Sequence, residues 1–209
     1  MSIDKIDEGL YRVLVPFEDE ITTTVYVVVG ENGVALIDSA TYPSDADGHI
    51  IPALGELGIS LDKVKYILLT HSHEDHSGGA GRLMELLPEA VIGSAFSCGE
   101  PRSLKFEDGE LILDRLQVVA LPGHTLDCIA LFDAKTKTLL SADCLQLYGV
   151  GKYRRGVGYR DLYRSSIDKL RRMEIYRIVA AHEYDPLGSV AEGESAVAEY
   201  LDTCISAIG

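Results

Sequence analysis

Between positions 71 and 76 the chain reads His71-Ser72-His73-Glu74-Asp75-His76, so four side chains that bind metals well fall within six residues. Imidazole nitrogen and carboxylate oxygen together suit Zn, Fe, Mn or Ni, whereas Ca and Mg prefer oxygen alone. A polar loop of this kind has little core to hold it, and metal is what would give it order. In a turn, His71 and His73 can aim at one ion while Asp75 and His76, displaced along the chain, aim at a second. His124, Asp143 and His182 recur further on, each after a strand-like run. Taken singly, each would read as an ordinary core, surface or turn residue. Together these positions account for five of the six histidines, leaving His49 as a surface helix residue.

The elements that must position them follow from pattern. Leu10–Pro16, Ile21–Val29 and Val34–Ile37 are β-like and separated by turn residues, which predicts an antiparallel opening. Pro43–Leu57 has helical spacing and stops at Gly58. Val64–Leu69 is almost continuously apolar, as a fully buried strand is, and it feeds the His71–His76 loop; a helix from Gly81 to Leu87 ends at Pro88. Leu111–Leu121 predicts a strand leading into Pro122-Gly123-His124-Thr125. Ile129–Phe132 and Thr138–Leu140 predict a hairpin that delivers Asp143. Asp161–Met173 is helical, Arg177–Ala181 is a short strand ending at His182, and Val190–Ile208 is a closing helix. With no internal repeat and no low-complexity linker, the chain reads as one domain with two packed sheets flanked by helices.

Composition narrows the chemistry. A chain of 209 residues can bury a sizeable core without disulfides or structural metal, so a bound metal is expected to be catalytic. The formal net charge of -14 disfavours nucleic acid as a partner. The four cysteines, Cys98, Cys128, Cys144 and Cys204, form no C-x-x-C pair and read as reduced thiols. Neither a secretion signal nor a membrane span is expected, and the cytoplasm is the expected compartment.

The His71-x-His73-x-Asp75-His76 element, followed in order by His124, Asp143 and His182, resembles the metallo-β-lactamase superfamily, in particular its glyoxalase II-like hydrolases. The resemblance runs from Asp38 to His182. It implies an α+β fold, a four-layer αββα sandwich of two mixed β-sheets flanked by helices, as one domain over residues 1–209. It further implies a first ion on His71, His73 and His124, a second on Asp75, His76 and His182, and Asp143 bridging both. The ions would be divalent transition metals: zinc, with iron or manganese as alternatives. Asp38, in Leu36-Ile37-Asp38-Ser39, matches the family's acidic residue beneath the metal loop, where it would accept from loop N–H groups or a ligand imidazole. The chain departs from the pattern at Ala142, where Gly is frequent, and at Leu126-Asp127, where Pro-Gly often follows. Some β-lactamase members use a thiolate near Cys144; Ser141-Ala142-Asp143 matches the broader hydrolase pattern and favours Asp143.

The implied activity is hydrolysis of a small ester, thioester or lactone by water activated between the ions, with Asp75 as the catalytic residue that orients it. Residues Cys144–Arg160 are rich in glycine and tyrosine and carry the densest basic run of an acidic chain. Tyr148, Tyr153, Arg154, Arg155 and Tyr159 are therefore candidates for binding a small, anionic substrate. A homodimer is an open option for assembly. The competing readings are a mono-iron dioxygenase acting on sulfur substrates through His71, His73 and His124, a phosphodiester hydrolase, and a metal-dependent scaffold without turnover.

Overall fold

The computed structural model describes residues 2–18, 21–96, 102–146, 157–184 and 187–208. The chain divides into two compact units, Met1–Phe106 and Glu107–Gly209, each built on its own sheet.

The first unit carries seven strands in sequence order. β1 (Ser2–Asp7), β2 (Leu10–Glu18), β3 (Ile21–Gly30) and β4 (Gly33–Ile37) form an antiparallel meander. β5 (Val64–Leu69), β6 (Val91–Ser94) and β7 (Ser103–Lys105) continue the sheet in parallel. The change of direction follows from connection length: tight turns join the early strands, whereas helical crossovers are needed between parallel ones. The first crossover holds α1 (Pro43–Asp45), a π turn (Ala46–Ile50) and α2 (Ile51–Glu56), and it stops at Gly58 with φ +68°. The second holds α3 (Glu74–Ser77) and α4 (Ala80–Leu86). Val25, Val27, Leu36, Ile50, Leu54, Ile67 and Leu83 form the core of this unit. The alternate residues Leu10, Tyr26, Val28, Ile37 and Leu68 are just as buried, which explains why these strands read as unbroken apolar runs.

The second unit carries six strands in the order β13-β12-β11-β10-β9-β8: β8 (Leu111–Ile112), β9 (Leu116–Ala120), β10 (Ile129–Asp133), β11 (Thr138–Ala142), β12 (Arg177–Tyr184) and β13 (Gly188–Glu192). Only β11 and β12 pair in parallel, and α5 (Arg160–Leu170) lies in the connection between them; α6 (Glu194–Ala207) closes the chain. Both sheets are mixed, in accord with an α+β class.

Several expectations are corrected. The closing helix starts not at Val190 but at Glu194, because Gly188–Glu192 pairs with β12 as a strand and Gly193, at φ +94°, turns the chain between them. The single strand expected over Leu111–Leu121 is broken at Leu113 and Asp114, both at positive φ, into β8 and β9. The polar N-terminus forms β1, whose alternating Ile3 is outweighed in composition by charge, as suits an edge strand. β6 and β7 were not expected either. The strands that deliver the candidate ligands run longer than expected, β11 to Ala142 and β12 to Tyr184.

Candidate metal centre

In the first unit, β5 ends at Leu69 and the next residues lead directly into α3. Buried His71 and His76 and exposed His73 cluster there: the His71 ring centroid lies 4.7 Å from that of His73 and 4.2 Å from that of His76. Asp75 Oδ2 lies 3.5 Å from His76 Nε2. The turn is held down by the segment after β4. Ser39 donates to the His76 carbonyl through both its backbone N–H (2.7 Å) and its hydroxyl (2.9 Å). This approach is so close that a Cβ on Gly78 would sit 1.9 Å from the Thr41 carbonyl oxygen and one on Gly79 2.2 Å from that of Ser39. Glycine at 78 and 79 is therefore a steric requirement of the loop.

Asp38 is fully buried and sits at φ +65°, a conformation that Asp tolerates better than other non-glycine residues. Its Oδ1 accepts from the Thr70 N–H at 2.8 Å, and its Oδ2 accepts from the Thr70 hydroxyl at 2.9 Å and from His76 Nδ1 at 2.6 Å. Because a carboxylate only accepts, His76 carries its proton on Nδ1. Thr70 spends its one hydroxyl proton on Asp38, so its oxygen must accept from His71 Nδ1, 3.2 Å away. In the neutral rings one carboxylate thus sets two tautomers and leaves a lone pair on both Nε2 atoms. A lone-pair nitrogen beside the Asp75 carboxylate is a repulsive arrangement without a cation and a favourable one around it. The donor set fits a divalent transition metal on this ground.

In the second unit, Pro122-Gly123-His124 follows β9, Asp143 follows β11 and His182 lies within β12. All three are buried. Asp143 Oδ1 lies 3.5 Å from His182 Nε2 and its Oδ2 lies 3.6 Å from His124 Nε2, one oxygen toward each imidazole. The chain reaches Asp143 through Ala142 at φ +43°, the position where the family pattern often has glycine. A Cβ on Gly123 would lie 2.7 Å from the Tyr163 backbone, which fixes the approach of this loop to α5.

Two residues that sequence reasoning missed grip Asp143. The Tyr184 hydroxyl donates to Oδ1 at 2.8 Å and Gln146 Nε2 donates to Oδ2 at 2.7 Å. Tyr184 lies two residues beyond His182 in the same strand, so the period-two alternation could have flagged it; nothing in the sequence marks Gln146. Burial and the nearby Asp143 charge push the Tyr184 phenol well above its ordinary pKa, so it stays protonated and able to donate. Buried Cys144 lies beside this grip, and it is Asp143 that faces both imidazoles. Of the substrate candidates, Tyr159 is 45% exposed and donates its backbone N–H to the Gly123 carbonyl, next to His124. Tyr148, Tyr153, Arg154 and Arg155 lie outside the described residues.

Comparison with known proteins gives a consistent picture. A family model described as "Metallo-beta-lactamase superfamily" matches residues 19–102. The chain is 34% identical over 150 residues to a hydroxyacylglutathione hydrolase of Hahella chejuensis, covering 68% of this chain and 55% of that protein. It is 36% identical over 125 residues to one of Pseudomonas putida, covering 56% and 47% respectively. The chain therefore spans about half the length of the curated relatives it matches. Among solved structures, a metallo-beta-lactamase family protein from Thermus thermophilus superposes with a TM-score of 0.75 at 22% identity, over 97% of this chain and 80% of that one. The rubredoxin oxygen:oxidoreductase of Desulfovibrio gigas gives 0.74 at 16% identity, over 98% and 61%. Such distant likenesses establish the fold.

Proposed function

We propose that this chain, which belongs to the metallo-β-lactamase superfamily, is a metal-dependent hydrolase of a small ester, thioester or lactone and that its two units act as one domain. The two half-sets then serve one centre: His71, His73 and His124 hold one divalent ion, Asp75, His76 and His182 the other, and Asp143 spans them. Zinc is the proposed metal, with iron or manganese as substitutes. The observation that carries this reading is the Asp38–Thr70 network, which turns His71 and His76 into lone-pair donors beside Asp75. Divalent ions held there would lower the pKa of bound water toward about 7 and so supply hydroxide under neutral conditions. Asp75, partly exposed beside His76, orients the attacking water. Tyr159, with Tyr148, Tyr153, Arg154 and Arg155, recruits the anionic part of the substrate. The relatives named hydroxyacylglutathione hydrolase favour a thioester within this class. Among the described residues no helix is long and apolar enough to cross a membrane, and the cytoplasm is the proposed compartment.

The test is metal analysis of the purified protein followed by a panel of thioesters, esters, lactones and phosphodiesters. A pair of ions per chain with carbonyl-ester turnover, lost on chelation and restored by zinc, is the expected result. A single iron with oxygen consumption would replace this reading by the dioxygenase one, and turnover of phosphodiesters alone would replace the substrate class. Fully loaded protein that turns over nothing would leave a metal-dependent scaffold.

A further inference from the structure

In the second unit, one carboxylate is held by two neutral donors that nothing in the ligand motif requires. Both oxygens of Asp143 meet a donor and an imidazole: Oδ1 has the Tyr184 hydroxyl at 2.8 Å and His182 Nε2 at 3.5 Å, and Oδ2 has the Gln146 amide at 2.7 Å and His124 Nε2 at 3.6 Å. From this pairing we infer that Tyr184 and Gln146 are positioning residues that divide the Asp143 carboxylate between two ions, one oxygen for each; the inference rests on the dinuclear reading above.

A carboxylate oxygen offers two lone-pair directions. A donor on each oxygen takes one direction and holds that oxygen on the side of its neighbouring imidazole. Without the donors the group is free to turn and to close both oxygens on a single ion. Asp143 and Tyr184 are each 2% exposed and Gln146 is 5% exposed, so solvent cannot stand in for a lost donor. Both donors are themselves anchored. Tyr184 is carried by β12 from His182. Gln146 donates its backbone N–H to the Asp143 carbonyl and accepts at its own carbonyl from the Tyr163 hydroxyl at 2.8 Å. Among the described residues the Gln146 side-chain oxygen has no hydrogen-bond partner, so the main loss in Gln146→Leu is the donor.

The experiment is a titration of metal-free protein with Co(II) against a competing chelator. Visible absorption and the shifted imidazole resonances of His124 and His182 report the two ions separately. Tyr184→Phe is expected to weaken the His182-side ion roughly 10- to 100-fold, as loss of a ligand's supporting hydrogen bond does, with the His124-side ion near its wild-type affinity. Gln146→Leu is expected to show the larger loss on the His124 side. Tyr200→Phe, which removes another buried phenol hydroxyl, one with no hydrogen-bond partner among the described residues, should move neither. Equal losses at both ions, or none, would overturn the inference. If Tyr184→Phe fails to fold, Gln146→Leu decides alone by the same criterion. Wild-type protein that takes up a single ion or none would instead sink the dinuclear reading, and the wild-type titration distinguishes that failure from this one.

Discussion

The two units supply their candidate ligands in opposite ways. In the first, four candidate ligands come from one turn, and a single buried carboxylate, Asp38, reaches up from the end of β4 to orient the loop. In the second, the candidate ligands His124 and Asp143 follow the ends of β9 and β11 and His182 lies near the end of β12, and the carboxylate among them is oriented by Tyr184 and Gln146. Support runs from acid to imidazole in one unit and from neutral donor to acid in the other. A contiguous loop has many conformations and needs a strong, charged anchor to select one. Strand ends are already placed by the sheet ladders, so neutral hydrogen bonds suffice to set the final angle.

Substitution can break this contrast at graded cost. Asp38→Ala in metal-free protein removes the acceptor for the Thr70 N–H, the Thr70 hydroxyl and His76 Nδ1, and puts alanine at positive φ. With roughly 1–3 kcal/mol for each buried donor left unpaired, a loss of at least about 3 kcal/mol is expected in urea unfolding. Asp38→Asn, which tolerates the backbone and keeps one acceptor, should cost clearly less. Equal costs would show that neither the volume nor the single acceptor of the amide replaces the carboxylate.

Ala142 tests the strand-end side. At φ +43° it carries strain that glycine would relieve, roughly 1–2 kcal/mol, partly offset by lost burial and a freer unfolded chain. Ala142→Gly should therefore be close to neutral in thermal unfolding, whereas Ala130→Gly, within β10 and just as buried, should cost about 1 kcal/mol more. If both cost the same, the turn into Asp143 is not strained.

The smallest effect concerns a surface pair that gives the scale against which both halves are read. Burial pushes the Asp108 carboxyl up, but the Lys169 ammonium and the Ala120 N–H together hold it below its usual value. A depressed carboxylate pKa stabilises the fold above the unfolded value, and that stabilisation is lost as pH falls through the folded value. The stability gap between wild type and Asp108→Asn should accordingly be open at neutral pH and closed in strong acid, measured by urea unfolding across that range. A gap that does not change with pH would remove the ion pair as its cause.

The legible parts of the chain were those where chemistry is local. The His71–His76 cluster lies in consecutive residues, and the apolar continuity of Val64–Leu69 places it after a strand. His124, Asp143 and His182 were readable only as a set following strand-like runs. Val190–Glu192 reads as the start of a helix because Val190 and Ala191 fit either period, and only pairing with β12 resolves it as part of a strand. Tyr184 was hidden because β12 runs three residues past the expected end at Ala181.

By itself the sequence determined which atoms are available to bind metal and that four of them leave one turn together, since ligand type and chain adjacency need no fold to exist. Tertiary structure alone decided which nitrogen of His71 and His76 keeps its proton and which oxygen of Asp143 faces which imidazole. Those choices need hydrogen bonds between residues 32 to 41 positions apart beside the local ones from His71 to Thr70 and from Gln146 to Asp143, and such distances along the chain close only when the sheets form.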